Sequence, residues 1–221
     1  MNNLVLITSV IKTPNQPLSY INYRSIYSHE ERYQQTQKTI QSVRAKIPNV
    51  KIFIVECSNF DENQIEYFKN NCDYFLNLYD NENIRNDIYN ISKSLGEGTM
   101  TYHALKYIID NSIEYDNLFK LSGRYSLSTN FDYNNFNNSN IVIKYIDKNI
   151  NNVLTALYKL PRGNVNNLMT FLNNNFNEMK QCIGYEVLFA NFIKIQNINI
   201  INYDLIGVEG SVSVSNDYYS G

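Results

Sequence analysis

Four short apolar runs set the rhythm of the N-terminal half, and the segments between them decide the fold. Leu4–Val10, Val50–Val55, Tyr74–Tyr79 and Leu118–Leu121 each give way to polar residues: Thr8 and Ser9 within the first, Glu56-Cys57-Ser58 after the second, Asp80 after the third, and Ser122-Gly123-Arg124 after the fourth. Continuous apolar runs of this length suit strands buried on both faces, as in a parallel sheet. Helical patterns lie between them. Ser28 reads as an N-cap with Glu31 at the capping-box position. Thr36, Ile40, Val43 and Ile47 then share one face, and Pro48 ends the helix. Asp61–Asn71 repeats the pattern with Ile65 and Phe68 inward, and Asn81–Asn90 is polar and reads as a loop or short helix. Ser92 to Gly98 opens a further helix, with Met100, Ala104, Leu105, Ile108 and Ile109 of Thr99–Ile109 as its buried stripe. Strands alternating with crossover helices predict an α/β layered fold, with a mixed, mostly parallel sheet flanked by helices.

The second half is less regular. Asn140–Tyr145 and Asn152–Leu160 read as strands, Val165–Asn174 and Tyr185–Ile195 as helices, and Ile198–Tyr203 as a final strand. Gly207–Gly221, rich in Gly, Ser and Asn, reads as a loop or mobile tail. There is no internal repeat and no linker-like segment, so 1–221 is expected to be one domain. The loop Lys12–Tyr27, with Pro14 and Pro17, is longer than most connections in compact domains, which suggests a working role.

Composition excludes several classes. With 19 Lys and Arg, scattered along the chain, against 21 Asp and Glu, the net charge is −2. A nucleic-acid binder would carry a basic face. Cys57, Cys72 and Cys182 form no CxxC pair, which disfavours a disulfide framework or structural zinc and suits a reducing compartment. The N-terminal run lacks a basic region and is too short for a secretion signal, and no run approaches the ~20 apolar residues of a membrane span. The expected location is the cytoplasm, of the host if the source is viral. Frequent Asn, Ile and Tyr with no Trp fit an A/T-rich coding sequence.

The chemistry concentrates at strand ends. A glycine-bearing helix start at Ser92-Lys93-Ser94-Leu95-Gly96-Glu97-Gly98 offers backbone N–H groups to an anion. The strand at Leu118–Leu121 ends in Lys120, Ser122 and Arg124, which sends cations to the carboxyl edge of the sheet, where open α/β folds bind ligands. Arg24 and Arg32 flank the long loop and are candidates for phosphate or acceptor contact. His29 and His103 lack ligand spacing for zinc, and no Gly-x-Ser-x-Gly elbow points to a serine hydrolase.

Four stretches in this order resemble the nucleotide-sugar glycosyltransferases of the GT-A fold, notably small transferases of bacterial and large-DNA-virus glycan assembly. They are Tyr23–Arg32, Lys93–Gly98, Phe119–Tyr125 and Gly184-Tyr185-Glu186. The resemblance implies a Rossmann-related fold whose residues 1–125 bind the nucleotide, with 126–206 on the acceptor side. It implies donor contacts at Thr8, Ser9, Arg24, Glu56, Ser58, Asp80, Lys93, Gly96, Glu97, Lys120, Ser122 and Arg124. Glu56 and Ser58 would face base or ribose, and Asp80 would lie near a uracil.

Arg162 is expected on the acceptor side. Glu186, at the start of a late helix, is placed as the base of an inverting transfer. The partners implied are a nucleotide-sugar, most simply a UDP-sugar, and a glycan or glycoprotein hydroxyl. The sequence departs from the fold's usual Asp-x-Asp metal site, which here reads Ser122-Gly123-Arg124. Lys120 or Arg124 is therefore expected to neutralise the diphosphate, with Asp80, Glu82 or Asp132 as weaker candidates to hold Mn²⁺ or Mg²⁺. Two alternatives stay open: a sugar nucleotidyltransferase, although Thr8-Ser9-Val10-Ile11 lacks its glycine-rich signature, and a non-catalytic glycan- or nucleotide-binding module.

Overall fold

A computed structural model of the chain describes residues 1–196, 199–215 and 217–221. Its centre is a sheet of seven strands: β1 (Asn3–Ser9), β2 (Val50–Glu56), β3 (Tyr74–Asn77), β4 (Asn117–Ser122), β6 (Ile141–Ile143), β7 (Leu157–Pro161) and β8 (Ile200–Asn202). The order is β3-β2-β1-β4-β7-β6-β8. Strands β1 to β4 are mutually parallel, β7 runs antiparallel to both β4 and β6, and β8 is parallel to β6. The mixed, mostly parallel sheet expected from the sequence is therefore present.

Helices cover both faces. α1 (His29–Lys46) and α2 (Glu62–Asn71) pack on one face, where Ile40, Val43 and Phe68 meet Val5, Ile7, Ile52 and Ile54. α3 (Glu82–Ile88), α4 (Lys93–Asp110), α5 (Val165–Asn174), α6 (Phe176–Lys180) and α7 (Tyr185–Ile195) pack on the other. There Ile88, Leu95, Leu105, Leu168, Met179 and Phe189 meet Leu4, Leu6, Phe53 and Leu118. Alternate residues of each buried strand feed opposite cores, the period-two consequence of the pleat. Ser28 caps α1 through a reciprocal capping box with Glu31, as its spacing predicts.

Two departures matter. Gly207–Gly221 is not a tail: β9 (Val208–Ser211) and β10 (Tyr218–Ser220) join β5 (Tyr125–Leu127) in an antiparallel sheet of order β10-β9-β5. Val208 is buried in the core, and Gly210 lies so close to β5 that a Cβ there would meet the Arg124 carbonyl at 2.4 Å. The composition that reads as loop is what this close pairing requires. Second, the strand expected over Asn152–Leu160 begins only at Leu157. Asn152–Ala156 is a turn-containing approach, tied to Tyr145 by a single bridge at Val153. As expected, α4 runs unbroken from Lys93 through Gly96 and Gly98, and the polar Asn81–Asn90 segment holds a short helix, α3. Ile198 of the expected final strand lies outside the described residues; β8 itself covers Ile200–Asn202.

Candidate active site

The strand order reverses at β1: the chain moves outward through β2 and β3, then crosses the other face through α3 and α4 to enter beside β1 as β4. Such a switch point leaves a crevice outside the carboxyl ends of the two strands. A cavity opens there, lined by Thr8 and Ser9 of β1, Ser122 at the end of β4 and Arg124 just past it, Arg24 of the long loop and Arg32 of α1. Lys93, Gly96 and Glu97 of α4 line it too, with Ser213 from the β9–β10 connection. Gly123 makes the junction possible, because a Cβ there would strike Ser9 Cβ at 2.8 Å. Thr36 of α1 donates to the Gly123 carbonyl at 2.9 Å and Thr39 to that of Tyr125 at 2.7 Å, fixing the turn that aims Arg124.

The cavity gathers positive charge. Arg24 donates to the carbonyls of Tyr89, at 2.9 Å, and Asn90, just past the C-terminus of α3, whose dipole favours a cation. Arg32 is only 4% exposed and sends Nε and Nη2 to the Val10 carbonyl at 2.8 and 2.6 Å. Burial, reinforced by repulsion from Arg124 and Arg24, pushes the Arg32 guanidinium down to about 9. Arg124 Nε is buried without a hydrogen-bond partner. Among the described residues none of these three arginines forms an ion pair. Three guanidiniums and the Lys93 ammonium thus converge with an unused donor, an arrangement that an anion would stabilise.

A second cavity adjoins it, lined by Ser19, Tyr20, Ser92, Ser94, Cys182, Gly184, Tyr185 and Glu186, together with Lys93 and Glu97. Gly184 precedes α7, so Glu186 sits in the first turn of that helix. Lys93 and Glu97 are the two residues common to both linings.

Several expected contacts are corrected. Lys120 does not reach a cavity: it is 0% exposed, and its ammonium donates to Glu97 Oε1, to Ser122 Oγ at 3.1 Å and to the Thr155 carbonyl at 2.8 Å. A buried lysine persists only with such partners. Glu56 and Ser58 are likewise buried rather than open to a base or ribose. Glu56 Oε1 accepts from the Ile11 amide at 3.0 Å, the Cys57 amide at 2.9 Å and Ser58 Oγ at 2.8 Å, lacing the end of β2 to the segment after β1. Burial pushes this carboxyl up to about 7. The Gly96 amide already donates to the Ser92 carbonyl at 3.3 Å, so it is not free for an anion. The glycine is needed because a Cβ would meet the Ile88 carbonyl at 2.7 Å, and Gly98 makes room for Met179.

Arg162 lies at the wrong edge. β7 runs antiparallel to β4, pairing Pro161 with Asn117 at the amino end, so Arg162 emerges opposite the crevice and rests over the Tyr115 ring. Asp80 is exposed and lines neither cavity; Asp132 caps a short 3₁₀ turn by accepting from the Asn134 amide at 2.9 Å. Among the described residues no three His, Cys, Asp or Glu side chains gather as a metal site. With Arg124 aimed into the crevice where this fold usually places its second aspartate, the residues present do not fit a divalent cation. Sequence reasoning missed Ser213 and Tyr20 at the rims. Nothing in a Gly- and Ser-rich segment signals that it folds back over a sheet edge.

Solved structures share this architecture. A protein assigned as a nucleotide-diphospho-sugar transferase from Desulfovibrio desulfuricans G20 matches with a TM-score of 0.51 and 11% identity over 92% of this chain and 80% of that one. The CTP:phosphocholine cytidylyltransferase LicC of Streptococcus pneumoniae matches at 0.52 and 11% identity over 97% and 95%. The glycosyltransferase GlyE of Streptococcus pneumoniae TIGR4 matches at 0.51 and 9% identity, over 91% of this chain and 45% of that one. The chain therefore has the GT-A-like α/β fold that nucleotide-sugar transferases share with nucleotidyltransferases. The sequence matches no family model and no curated protein.

Proposed function

We propose that the protein is a glycosyltransferase that moves a sugar from a nucleotide diphosphate, most simply UDP, to a hydroxyl of a glycan or glycoprotein. The observation that carries this reading is the convergence of Arg24, Arg32, Arg124 and Lys93 on one cavity at the switch point of the sheet, beside a second cavity holding Glu186. The cations accept the diphosphate and stabilise the charge that grows on it as it leaves. The acceptor hydroxyl oxygen attacks the anomeric carbon and the bond to the phosphate oxygen breaks. Its electron pair leaves with the nucleoside diphosphate, and the hydroxyl proton passes to the Glu186 carboxylate. A single displacement of this kind inverts the anomeric centre.

The donor cavity is built almost wholly from residues 1–125, with Ser213 from the β9–β10 connection; the second cavity draws Cys182, Gly184, Tyr185 and Glu186 from the later half. The proposal is a single domain in which both cavities serve one reaction. Among the described residues no helix is long and apolar enough to cross a membrane; a cytoplasmic enzyme is proposed on the reduced cysteines.

A thermal-shift screen against UDP, GDP, CMP, deoxythymidine diphosphate and CTP, each with Mn²⁺ and with EDTA, tests the reading, because a ligand of the native state raises the midpoint. A selective shift with one diphosphate that survives EDTA is the expected result. No shift with any of them removes the donor site. A shift with CTP alone, followed by pyrophosphate release with a phosphorylated partner, would transfer the assignment to nucleotidyl transfer.

A further inference from the structure

The two cavities meet at Lys93 and Glu97, and this junction has a consequence for the sugar. If the first cavity holds the diphosphate and the second the acceptor hydroxyl, the bond that breaks and the bond that forms share one carbon, so the transferred ring must lie between them. The wall at that place is the Glu97 side chain, 14% exposed, on the inner turn of α4. One carboxylate oxygen, Oε1, accepts from the Lys120 ammonium. The other, Oε2, accepts no hydrogen bond from another described residue.

Lys120 is itself immobilised. Its remaining donors go to Ser122 Oγ and the Thr155 carbonyl, and the rings of Tyr158 and Tyr185 lie 5.9 and 6.0 Å from its Nζ. Those two tyrosines are buried and face each other through their hydroxyls at 3.4 Å. The ion pair is therefore held from below by β4, β7 and α7, while the Glu97 side chain lines both cavities. An acceptor-only group fixed in direction is suited to reading hydroxyl groups, and cannot do so without a rigid support.

We propose that Glu97 recognises the transferred sugar by accepting from its ring hydroxyls, and that Lys120 is a positioning residue that fixes the carboxylate for that purpose. The inference rests on the donor-site reading above and adds the class of group recognised: a neutral, hydroxyl-bearing hexose. A sugar bearing its own carboxylate at this position would be repelled by Glu97.

The test is isothermal titration of UDP against UDP-glucose, UDP-galactose, UDP-N-acetylglucosamine and UDP-glucuronate, with the hexose esters of another nucleotide substituted if the screen selects one. Wild-type protein is expected to discriminate among the esters and to bind the glucuronate ester weakest. Glu97→Gln, which presents an amide donor in place of the acceptor, should flatten that discrimination by about tenfold while leaving UDP affinity within about twofold. Lys120→Met should flatten it likewise with Glu97 still present, the signature of positioning. If either single variant fails to fold for want of a partner charge, Glu97→Gln combined with Lys120→Met removes both charges and is read in the same way. Discrimination that survives in these variants, or UDP affinity that falls in parallel with that of the esters, overturns the proposal. A wild-type protein that binds all four esters alike also overturns it. A wild-type protein that binds no nucleotide fails earlier, and indicts the donor site itself rather than Glu97.

Discussion

Adjacent strands β4 and β7 each bury a lysine completely, and the two point to opposite faces of the sheet. Lys120 pairs across the ladder with Tyr158 and faces α4 and α7; Lys159 pairs with Phe119 and faces the α1 side. Lys159 has no carboxylate. It donates to the Asn138 carbonyl at 2.7 Å, to Asn138 Oδ1 at 3.2 Å and to the Asn140 carbonyl, closing the loop before β6. Lys120 instead holds Glu97, which lines both cavities. Residue type and depth are the same; what differs is whether the network ends in protein or at open space. The first pattern belongs to architecture, the second to ligand recognition. Substitutions on the crevice side should therefore change function, and those on the α1 side should change stability alone.

The largest expected effect is at Glu186. Glu186→Gln should lower turnover by roughly 10²–10⁴-fold, the usual worth of a general base, with nucleotide affinity unchanged. Initial-rate measurements beside a UDP titration decide it: near-normal turnover removes the assignment and leaves the second cavity without its base.

Glu56 sits under the crevice floor and sharpens the boundary between the two patterns. Its carboxyl is raised from 4.5 to about 7 by burial, so its contribution to stability is full below pH 4.5 and is lost as pH rises through 7. Wild-type protein should lose about 3 kcal/mol relative to Glu56→Gln between pH 4.5 and pH 8. Urea unfolding across that range provides the check, and parallel curves for the two proteins would contradict a buried, protonatable Glu56.

Arg124→Ala comes next. Removing a charge-assisted phosphate ligand should weaken UDP by at least about tenfold while leaving uridine alone. Equal loss for both ligands would contradict a diphosphate role, and would place Arg124 with Lys159 among residues that hold the fold.

What could be read from the sequence divides along physical lines. β1, β2 and β4 were legible because strands buried on both faces need continuous apolar runs, and their polar termini marked the crevice that gathers Thr8, Ser9, Ser122 and Arg124. Arg24, Lys93, Glu97 and Glu186 also line the paired cavities. Lys120 was misjudged because its partner Glu97 is 23 positions away, and only the packing of α4 on β4 brings them together. Glu56 follows the same logic in part, since one of its three donors, the Ile11 amide, comes from the chain beyond β1. Arg162 failed on topology: no local signal says that β7 reverses, and the reversal alone sends its end to the far edge. The C-terminal sheet failed on composition, because short edge strands bury only one face and need glycine for their close approach.

The smallest expected effect is at Lys159, and it bears most directly on the contrast. Lys159→Met keeps the length of the side chain and removes the ammonium. Two opposing consequences follow. The carbonyls of Asn138 and Asn140 lose their donor, which costs stability. The chain no longer has to hold a cation in an apolar core, a burden visible in the lysine being pushed down to about 8 by burial, and that relief offsets part of the loss. The net destabilisation should be about 1 kcal/mol, seen as a small fall in the urea midpoint with an unchanged slope. UDP affinity and turnover should not change, because no bond of Lys159 leads toward either cavity. A variant that unfolds normally but loses nucleotide affinity would show that the α1 face communicates with the crevice, and that engagement of a buried lysine by carbonyls is not a mark of architecture alone.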